Sequence, residues 1–451
     1  MTLATVPRYQ PPTRNPAKAG AAVVIGGSMA GLLTARILAD SYSTVTVIER
    51  DPLPAEPLAR RGVPQGRHVH LLLEAGRATF EDLFPGFGEE LARRGGVILD
   101  GSRDVLHYQE GDFLADGTRQ IPLYFATRPL FEHIVRERVV DLEAVTLRPQ
   151  CQWTDYLVDA SETAVTGVAI TTAAGDTVEL KADLVVDATG RTSRTPAWLR
   201  SRGYDPPETD EVRVRMAYST ARIERPANDR QMVLAAPSAE SSRGGSTFPV
   251  ENGARLVTLF GLHDDHPPAD QEGLIEFAST LPVPHFERLL TTRMWHSEEI
   301  AQYPFPTSIR RHYEDLERFP DGLLVVGDAL ASFNPIYGQG MSVAALEALV
   351  LHHTLTDGHP EDLAQRFFEK TEDIVDVAWM LSVSADFTFP QTEGPKPRGT
   401  DLINRYISRL LRESHDDQAL REAFIKVLMM ERPPTTLFSP RILWRVFKPK
   451  R

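Results

Sequence analysis

The sequence predicts an α/β protein in which a Rossmann-type domain is interleaved with a mixed or antiparallel-sheet domain and followed by a helical C-terminal region. Short buried strand patterns begin near residues 21, 183 and 323, and each ends in a glycine turn. Segments of alternating apolar and polar residues separate these patterns, which is typical of antiparallel strands. Beyond residue 361 the apolar spacing is mostly helical. A parallel sheet threaded through a second sheet explains this order.

The composition is that of an ordinary soluble globular protein and excludes several function classes. A chain of 451 residues is long enough for two or three domains. Its net charge of −13 argues against a nucleic-acid binder. Cys151 is the single cysteine, which excludes an intramolecular disulfide and cysteine-based metal sites and fits a cytoplasmic location. No apolar run approaches the roughly 18 residues of a membrane span, and the proline-rich N-terminus predicts a flexible tail.

The first strand and helix are joined by a glycine turn. Residues 21–25 (AAVVI) predict a buried strand, and Gly26, Ser28 and Gly31 follow at the start of a helix. Gly26 would allow a tight turn, Gly31 would allow close packing of helix on strand, and the helix N-terminus could bind a pyrophosphate. Ser28 replaces the usual second glycine of the fingerprint. Glu49, at the end of the next strand, can accept hydrogen bonds from ribose hydroxyls. This arrangement predicts a dinucleotide site.

A second glycine-rich segment follows the last buried strand. This strand ends in Gly327 and Asp328, and Pro335, Gly338 and Gly340 precede a helix. A carboxylate at a strand end can hold a hydroxylated chain, and the helix start can hold a partly anionic ring edge. Asp328 taken alone is equally explained as a helix cap.

These two motifs and the mid-chain VVDATG at 185–190 resemble those of the flavoprotein monooxygenases of the aromatic-hydroxylase superfamily. The resemblance covers about residues 20–355 and implies that the Rossmann-type domain binds FAD. The implied cofactor-binding residues are Gly26, Ser28, Met29, Ala30, Gly31, Glu49, Arg50, Arg128, Trp153, Gly190, Gly327, Asp328, Pro335, Gly338, Gly340 and Met341.

The resemblance also implies roles for some of these residues. Glu49 would hold the ribose, Asp328 the ribityl chain, and residues 335–341 the isoalloxazine ring. Arg128 matches a family arginine that contacts the cofactor. Trp153 lies where the family uses backbone atoms to touch the adenine. No catalytic side chain and no metal ligand are predicted, because the flavin carries the chemistry.

We expect four regions along the chain. They are a flexible tail (1–19), a discontinuous FAD-binding domain (20–75, 126–200 and 305–360), a substrate domain (76–125 and 201–304) and a C-terminal helical region (361–451).

The segment RRGVPQGRHVHLLL, residues 60–73, is similar to the branch that contains bacterial polyether epoxidases. That branch implies epoxidation or hydroxylation of an apolar organic substrate, such as a polyketide or terpenoid, by one oxygen atom from O₂ through a flavin C4a-hydroperoxide. NAD(P)H would supply the electrons, directly or through a flavin reductase. Many relatives have Asp where this chain has Thr189, so the route of reduction stays open. The chain lacks a W-x-W-x-I-P segment, which argues against a halogenase.

Two alternatives keep the fold and discard oxygenation. One is an FAD-dependent reductase or a non-redox cyclase, and the other is a ligand carrier without enzymatic activity. The intact glycine and acid motifs count against the carrier. For the substrate pocket, segments 104–125 and 212–262 are the expected walls. Their aromatic residues would either line the pocket or belong to the core: Phe113, Tyr124, Phe248 and Phe260.

Several other features are discounted as sites. His68 and His70 have no third ligand nearby and are expected to serve loop packing rather than a metal. No P-loop or nucleophile elbow is present in the sequence. The basic and apolar C-terminal segment 439–451 is expected to pack its apolar face on the domain, without membrane contact.

Overall fold

The computed structural model describes residues 1–11, 18–357 and 362–448. Its helices are α1 Met29–Ser41, α2 Glu74–Leu83, α3 Phe87–Arg93, α4 Arg128–Val140, α5 Thr195–Ser201, α6 Gln271–Ser279, α7 His285–Thr292, α8 Gly340–Thr356, α9 Leu363–Asp386, α10 Thr400–Glu413, α11 Gln418–Leu428 and α12 Pro440–Phe447. Short 3₁₀ turns lie at Pro64–Arg67, Tyr313–Asp315, Gly327–Ala329, Pro335–Tyr337 and Pro434–Phe438.

The strands form separate parallel and largely antiparallel sheets. They are β1 Ala19–Ile25, β2 Tyr42–Ile48, β3 Val97–Asp100, β4 Val105–Gln109, β5 Asp112–Phe113, β6 Pro122–Phe125, β7 Val145–Arg148, β8 Gln152–Val158, β9 Val165–Thr171, β10 Thr177–Lys181, β11 Leu184–Asp187, β12 Glu208–Glu224, β13 Met232–Ala235, β14 Arg243–Val250, β15 Ala254–Gly261, β16 Ala301–His312, β17 Leu323–Val325 and β18 Ala331–Ser332.

The parallel sheet has the order β17-β11-β1-β2-β7. Three neighbouring strands, β17, β11 and β1, come from the three buried patterns in the sequence and pair in parallel register. Such strands are buried on both faces because helices cover a parallel sheet from either side. Strands β8, β9 and β10 add the antiparallel meander expected from residues 155–180. The predicted α/β fold class is confirmed.

The second large sheet has eight strands in the order β18-β16-β12-β15-β14-β13-β4-β5. Its pairs are antiparallel except β13 with β4, which run parallel. One face packs against α6 and α7, where residues such as Val257, Leu259 and Phe286 are buried. The predicted domain boundary at residues 304 and 305 falls inside β16, since this strand continues to His312. The opposite face of the sheet borders the site described below.

The first eleven residues are packed against the helices, which differs from the flexible tail expected for this segment. Leu3 N donates to Met430 O at 3.0 Å, and the Tyr9 hydroxyl donates to Asp40 at 2.8 Å. Val6 and Tyr9 are buried. Burial of these two side chains against the helices favours an ordered position of this segment despite its prolines. Residues 12–17 of the predicted tail lie outside the described residues.

The C-terminal region consists of α9 to α12. In the last of these helices Ile442 and Val446 are buried, whereas Trp444 and Phe447 are exposed. The expected packing of an apolar face therefore involves only part of this segment. Within the described ranges, none of the helices combines the length and the apolar character needed to cross a membrane.

Candidate functional site

A cavity of about 1370 Å³ lies between the parallel sheet, the eight-stranded sheet and the C-terminal helices. It exceeds the roughly 300–1,000 Å³ of a pocket for one small ligand. The predicted cofactor residues that line it are Ser28, Met29, Ala30, Arg50, Arg128, Gly190, Gly327, Asp328, Pro335, Gly338, Gly340 and Met341. The predicted residues that do not line it are Gly26, Gly31, Glu49 and Trp153.

Gly26 and Gly31 shape the turn between β1 and α1 from behind the cavity wall. Gly26 has a φ of +113°, and a Cβ there would lie 2.5 Å from Ala188 O. A Cβ on Gly31 would lie 1.9 Å from Gly26 O, so only glycine allows the helix to start this close to the strand. Ser28 is the N-cap of α1 and makes no side-chain capping bond. The first N–H groups of α1 are therefore free to bind an anion.

Glu49 lies beneath the glycine turn rather than on the cavity surface. Its carboxylate accepts hydrogen bonds from Gly27 N at 2.9 Å and Asp51 N at 3.0 Å. Arg60 Nη1 lies 3.0 Å from the same carboxylate. A carboxylate can accept about four hydrogen bonds, and Gly27, Asp51 and Arg60 already use some of this capacity. A ribose hydroxyl would have to bind at the remaining acceptor positions. The role of Glu49 toward ribose stays a prediction, and its observed contacts stabilise the turn.

Arg128 begins α4 and reaches the start of α1. Its Nη2 donates to Ser28 Oγ at 3.0 Å, and its Nη1 lies 3.1 Å from Glu132. Burial lowers the pKa of Arg128, while the neighbouring Glu132 carboxylate opposes that effect. Thr127, which caps α4, is itself held by Glu251 through hydrogen bonds of 2.9 and 2.5 Å. This support fixes a buried guanidinium beside the free N–H groups of α1.

Asp328 faces the cavity at the end of β17. Gly327 before it has a φ of +64°, and its N–H donates to Glu347 at 2.7 Å. In the described part of the chain no protein group donates a hydrogen bond to the Asp328 carboxylate. Burial raises its pKa, although the charges of Arg191 and Arg128 partly offset that rise. The side chain is partly exposed to the cavity and has no protein partner in that part of the chain, so it is suited to accept bonds from a ligand.

The middle and last motifs meet at Asp328. Gly190 has a φ of +81°, and a Cβ there would lie 4.0 Å from the Asp328 Cβ. The loop that carries Gly190 is fixed by the buried Asp187 carboxylate, which accepts bonds from Thr189 N and from three nearby hydroxyls. A Cβ on Gly340 would lie 3.9 Å from Asp328 Oδ1. Three segments distant in sequence therefore form one wall.

The P-x-x-G-x-G loop is a 3₁₀ turn that leads into α8. Gly338 ends the turn with a φ of +67°. Gln339 is buried, and both its amide atoms lack a hydrogen-bond partner, so the N-terminus of α8 has no side-chain cap. Asn334 and Tyr337 donate to Asp386 of α9 at 2.8 and 2.9 Å. Burial raises the pKa of Asp386 to about 7. The C-terminal region thus fixes this loop.

Trp153 is not at the cavity. Its indole ring packs 4.7 Å from the ring of Tyr156, and the Arg194 guanidinium lies 4.4 Å above it. Arg194 also donates to the Trp153 carbonyl at 3.0 Å. The Trp153 carbonyl therefore already accepts one hydrogen bond from the protein. Adenine contact at Trp153 stays a prediction.

One face of the eight-stranded sheet forms the apolar wall opposite these motifs. Phe248 and Phe260 line the cavity as expected. Phe113 and Tyr124 follow the other alternative and pack away from the cavity, since Phe113 lies against Tyr108 and the Tyr124 hydroxyl donates to Glu81. Alternate residues of a strand point to opposite faces, and the sequence pattern does not say which face meets the ligand.

The donors and acceptors of the wall fit a dinucleotide with a flavin ring. Free N–H groups and Arg128 suit a pyrophosphate, the unpartnered Asp328 suits a hydroxylated chain, and the uncapped α8 suits an electron-rich ring edge. Fold and site thus define a flavin-type dinucleotide-binding protein.

Comparisons with known proteins agree with this class. The chain belongs to a family described as "FAD binding domain", whose model matches residues 20–358. It is 34% identical over 423 residues to Protein Rv3254 of Mycobacterium tuberculosis, which covers 90% of this chain and 88% of that protein. It is 27% identical to kynurenine 3-monooxygenase of Salinispora tropica over 75% of this chain and 73% of the relative.

A solved structure of the flavin-dependent brominase Bmp2, as a triple mutant, shows the same fold. The TM-score is 0.67 with 15% identity, and the match covers 94% of this chain and 98% of that one. The fold is that of the flavoprotein monooxygenases.

Several residues that shape the site were not predicted from the sequence. They are Arg60, Glu132, Asp187, Glu251, Glu347 and Asp386. A charged residue inside an apolar helical pattern, as at Glu347 and Asp386, is a signal that could have found two of them. Of the others, Arg60 and Glu251 lie in loops, Asp187 ends β11 and Glu132 lies within α4.

Proposed function

We propose that the protein is an FAD-dependent monooxygenase that inserts one oxygen atom from O₂ into an apolar organic substrate, by epoxidation or hydroxylation. A polyketide or terpenoid is the substrate class we favour. The observation that carries the proposal is the continuity of the cavity. The motif residues around Asp328 and the aromatic wall with Phe248 and Phe260 border the same space.

On the cofactor side, the chain offers a donor or acceptor for each part of FAD. The α1 N-terminus and Arg128 would bind the pyrophosphate, and Asp328 would accept bonds from the ribityl hydroxyls. The α8 N-terminus, with Gly338 and Gly340, would hold the ring edge and stabilise negative charge there through its dipole. When bound, FAD supplies the electron storage and the oxygen activation that side chains lack.

On the substrate side, the protein has to exclude water and orient an apolar molecule. The sheet wall is rich in aromatic and aliphatic side chains, among them Tyr218, Leu234, Phe248 and Phe260. Helices α10 and α11 contribute Ile407, Leu411 and Phe424 to the lining. Burial of such surface stabilises a bound apolar ligand and lowers the water content near the ring.

The electron donor in this proposal is NAD(P)H, acting directly or through a flavin reductase. Thr189 is bound to Asp187, through both its amide and its hydroxyl, at 2.8 and 2.6 Å. It therefore has a local structural role in this chain. Reduction of the FAD-loaded protein by NADPH alone, compared with reduction by NADPH plus a flavin reductase, distinguishes the two routes.

An isotope experiment tests the oxygenation. The FAD-loaded protein would be supplied with an electron donor, ¹⁸O₂ and a panel of polycyclic polyketides and terpenoids, and the products analysed by mass spectrometry. We expect incorporation of one ¹⁸O atom into a panel member. A product that forms equally without oxygen, or that carries no label, would contradict the proposal and support a reductase or cyclase.

A further inference from the structure

The cavity face of the eight-stranded sheet is largely apolar on β14 and β15, where a strip of two hydroxyl groups interrupts it. Other polar lining residues of this sheet lie outside these two strands: His107, Gln109, Tyr218, Tyr303 and Ser332. Side chains alternate along each strand, so a single set of residues faces the cavity. The apolar members of that set are Val105, Met232, Leu234, Phe248, Phe260 and Phe305. Across the strands of the wall, no cavity-lining residue is charged. The two hydroxyl groups of the strip belong to Ser246 of β14 and Thr258 of β15.

Ser246 and Thr258 stand directly opposite each other in the antiparallel register of β14 and β15. Opposed side chains have Cβ atoms about 4.5–5.5 Å apart, close enough for both hydroxyls to reach one ligand atom. Both residues are buried. Within the described residues the Ser246 hydroxyl has no hydrogen-bond partner, so its donor and its acceptor positions remain for a ligand.

A short hydrogen-bond chain supports Thr258 from behind. Thr258 Oγ1 lies 2.6 Å from Thr220 Oγ1, which lies 2.7 Å from His68 Nδ1. His68 is 1% exposed, and its ring packs 4.3 Å from that of Tyr218. Burial lowers the pKa of His68 to about 3, so the imidazole is neutral. A neutral imidazole can accept from or donate to Thr220, so the Thr258 hydroxyl can meet either an acceptor or a donor.

The strip lies next to the cofactor side of the cavity. Along β12 and β15, the pair Thr220–Thr258 is two residues from the pair Tyr218–Phe260. Tyr218 in turn packs 5.6 Å from Tyr303, whose pKa is raised by burial and by the nearby Asp328 carboxylate. A ligand held at the strip would therefore extend toward Asp328 and the ring site.

We infer that Ser246 and Thr258, supported by Thr220 and His68, bind one uncharged oxygen group, a hydroxyl or a carbonyl, of an otherwise apolar substrate. The inference rests on the proposed function and specifies its substrate. A few placed polar groups in an apolar pocket fix the orientation of a ligand. The strip thereby determines which part of the substrate faces the flavin, and substrates without that oxygen group bind without a fixed orientation.

Binding of a matched pair of probes tests the inference without turnover. The FAD-loaded protein would be titrated with 2-naphthol and with naphthalene, which differ by one hydroxyl, while the flavin absorbance is followed. We expect 2-naphthol to bind about 10-fold more tightly, as two neutral hydrogen bonds allow. In the double variant Ser246→Ala, Thr258→Val the two probes should bind equally, with naphthalene affinity and FAD content unchanged.

Two further variants separate hydrogen bonding from packing. Thr258→Ser keeps the hydroxyl and should keep the preference for 2-naphthol. His68→Asn keeps a polar atom near the Nδ1 position and should keep more of the preference than His68→Phe. Equal binding of the two probes by the wild type, or a preference that survives the double substitution, would overturn the inference.

The outcomes distinguish this inference from the proposed function. A protein that prefers 2-naphthol but forms no labelled product would support the binding role of Ser246 and Thr258 and contradict the proposed oxygenation. A protein that oxygenates its substrate but shows no preference supports the monooxygenase alone.

Discussion

The Asp328 carboxylate should affect the stability of the apoprotein and the affinity for FAD in opposite directions. It faces the cavity without a protein hydrogen-bond donor in the described residues, and burial raises its pKa. Asp328→Asn removes a poorly solvated charge, which should stabilise the apoprotein. The same change removes the charged acceptor for the ribityl hydroxyls, which should weaken FAD binding. A purely structural aspartate would not give this combination.

The direction of the stability change follows from the raised pKa of Asp328. An acid whose pKa is higher in the folded state makes the protein less stable as pH rises above the unfolded pKa of about 3.9. Asn does not ionise, so the Asp328→Asn apoprotein should be more stable than the wild type at pH 7 and equally stable near pH 4. A hydrogen bond to a charged group contributes about 1.5–3 kcal/mol, so FAD affinity should fall about 10- to 150-fold.

Urea unfolding of the apoprotein at both pH values measures the first effect, and quenching of flavin fluorescence measures the second. Asp205→Asn, in the exposed loop between α5 and β12, is the matched control and should change neither quantity. An Asp328→Asn apoprotein that is less stable than the wild type at pH 7, or that binds FAD equally well, would refute the reasoning.

Three more changes test other parts of the site. Gly31→Ala places a Cβ 1.9 Å from Gly26 O and should lower the free energy of unfolding by more than about 2 kcal/mol, with loss of bound FAD, as urea unfolding and flavin absorbance would show. Arg128→Met should weaken FAD binding at least about 10-fold, measured by fluorescence titration, and should leave riboflavin affinity little changed because riboflavin has no pyrophosphate. Ionisation of Asp386 should cost up to about 4 kcal/mol of stability between pH 4 and 7, because its pKa is raised from 3.8 to about 7. Asp386→Asn should reduce the pH dependence in urea unfolding by this contribution without abolishing it, because the pKa values of Glu347 and Asp328 are also raised. An unchanged slope would contradict the assignment.

The parts of the site that depend on local backbone geometry could be predicted from the sequence. Gly26 and Gly31 follow a buried strand, and their positions near Ala188 and near each other leave no room for a side chain. Asp328 follows another strand of the same sheet, and parallel strands bring such ends to one edge. The order of three buried strands was therefore sufficient to place these residues together.

The parts that depend on contacts between distant segments could not be predicted. Glu49 lies against Arg60 and the glycine turn because the loop that carries Arg60 folds back over it. Asp386 reaches the P-x-x-G-x-G loop from a helix outside the recognised motifs. Phe113 and Phe248 both lie in segments expected to form strands, and the arrangement of the sheet decides that Phe248 faces the cavity and Phe113 does not. Residue type and spacing do not by themselves say which distant segment such a residue meets.

The visible absorbance spectrum of the purified protein, before and after addition of FAD and then of NADPH in air, tests the central claim most directly. The account predicts one tightly bound oxidised flavin per chain, whose absorbance bleaches with an electron donor and returns when oxygen is present. A protein that binds no flavin even in excess FAD would contradict the account.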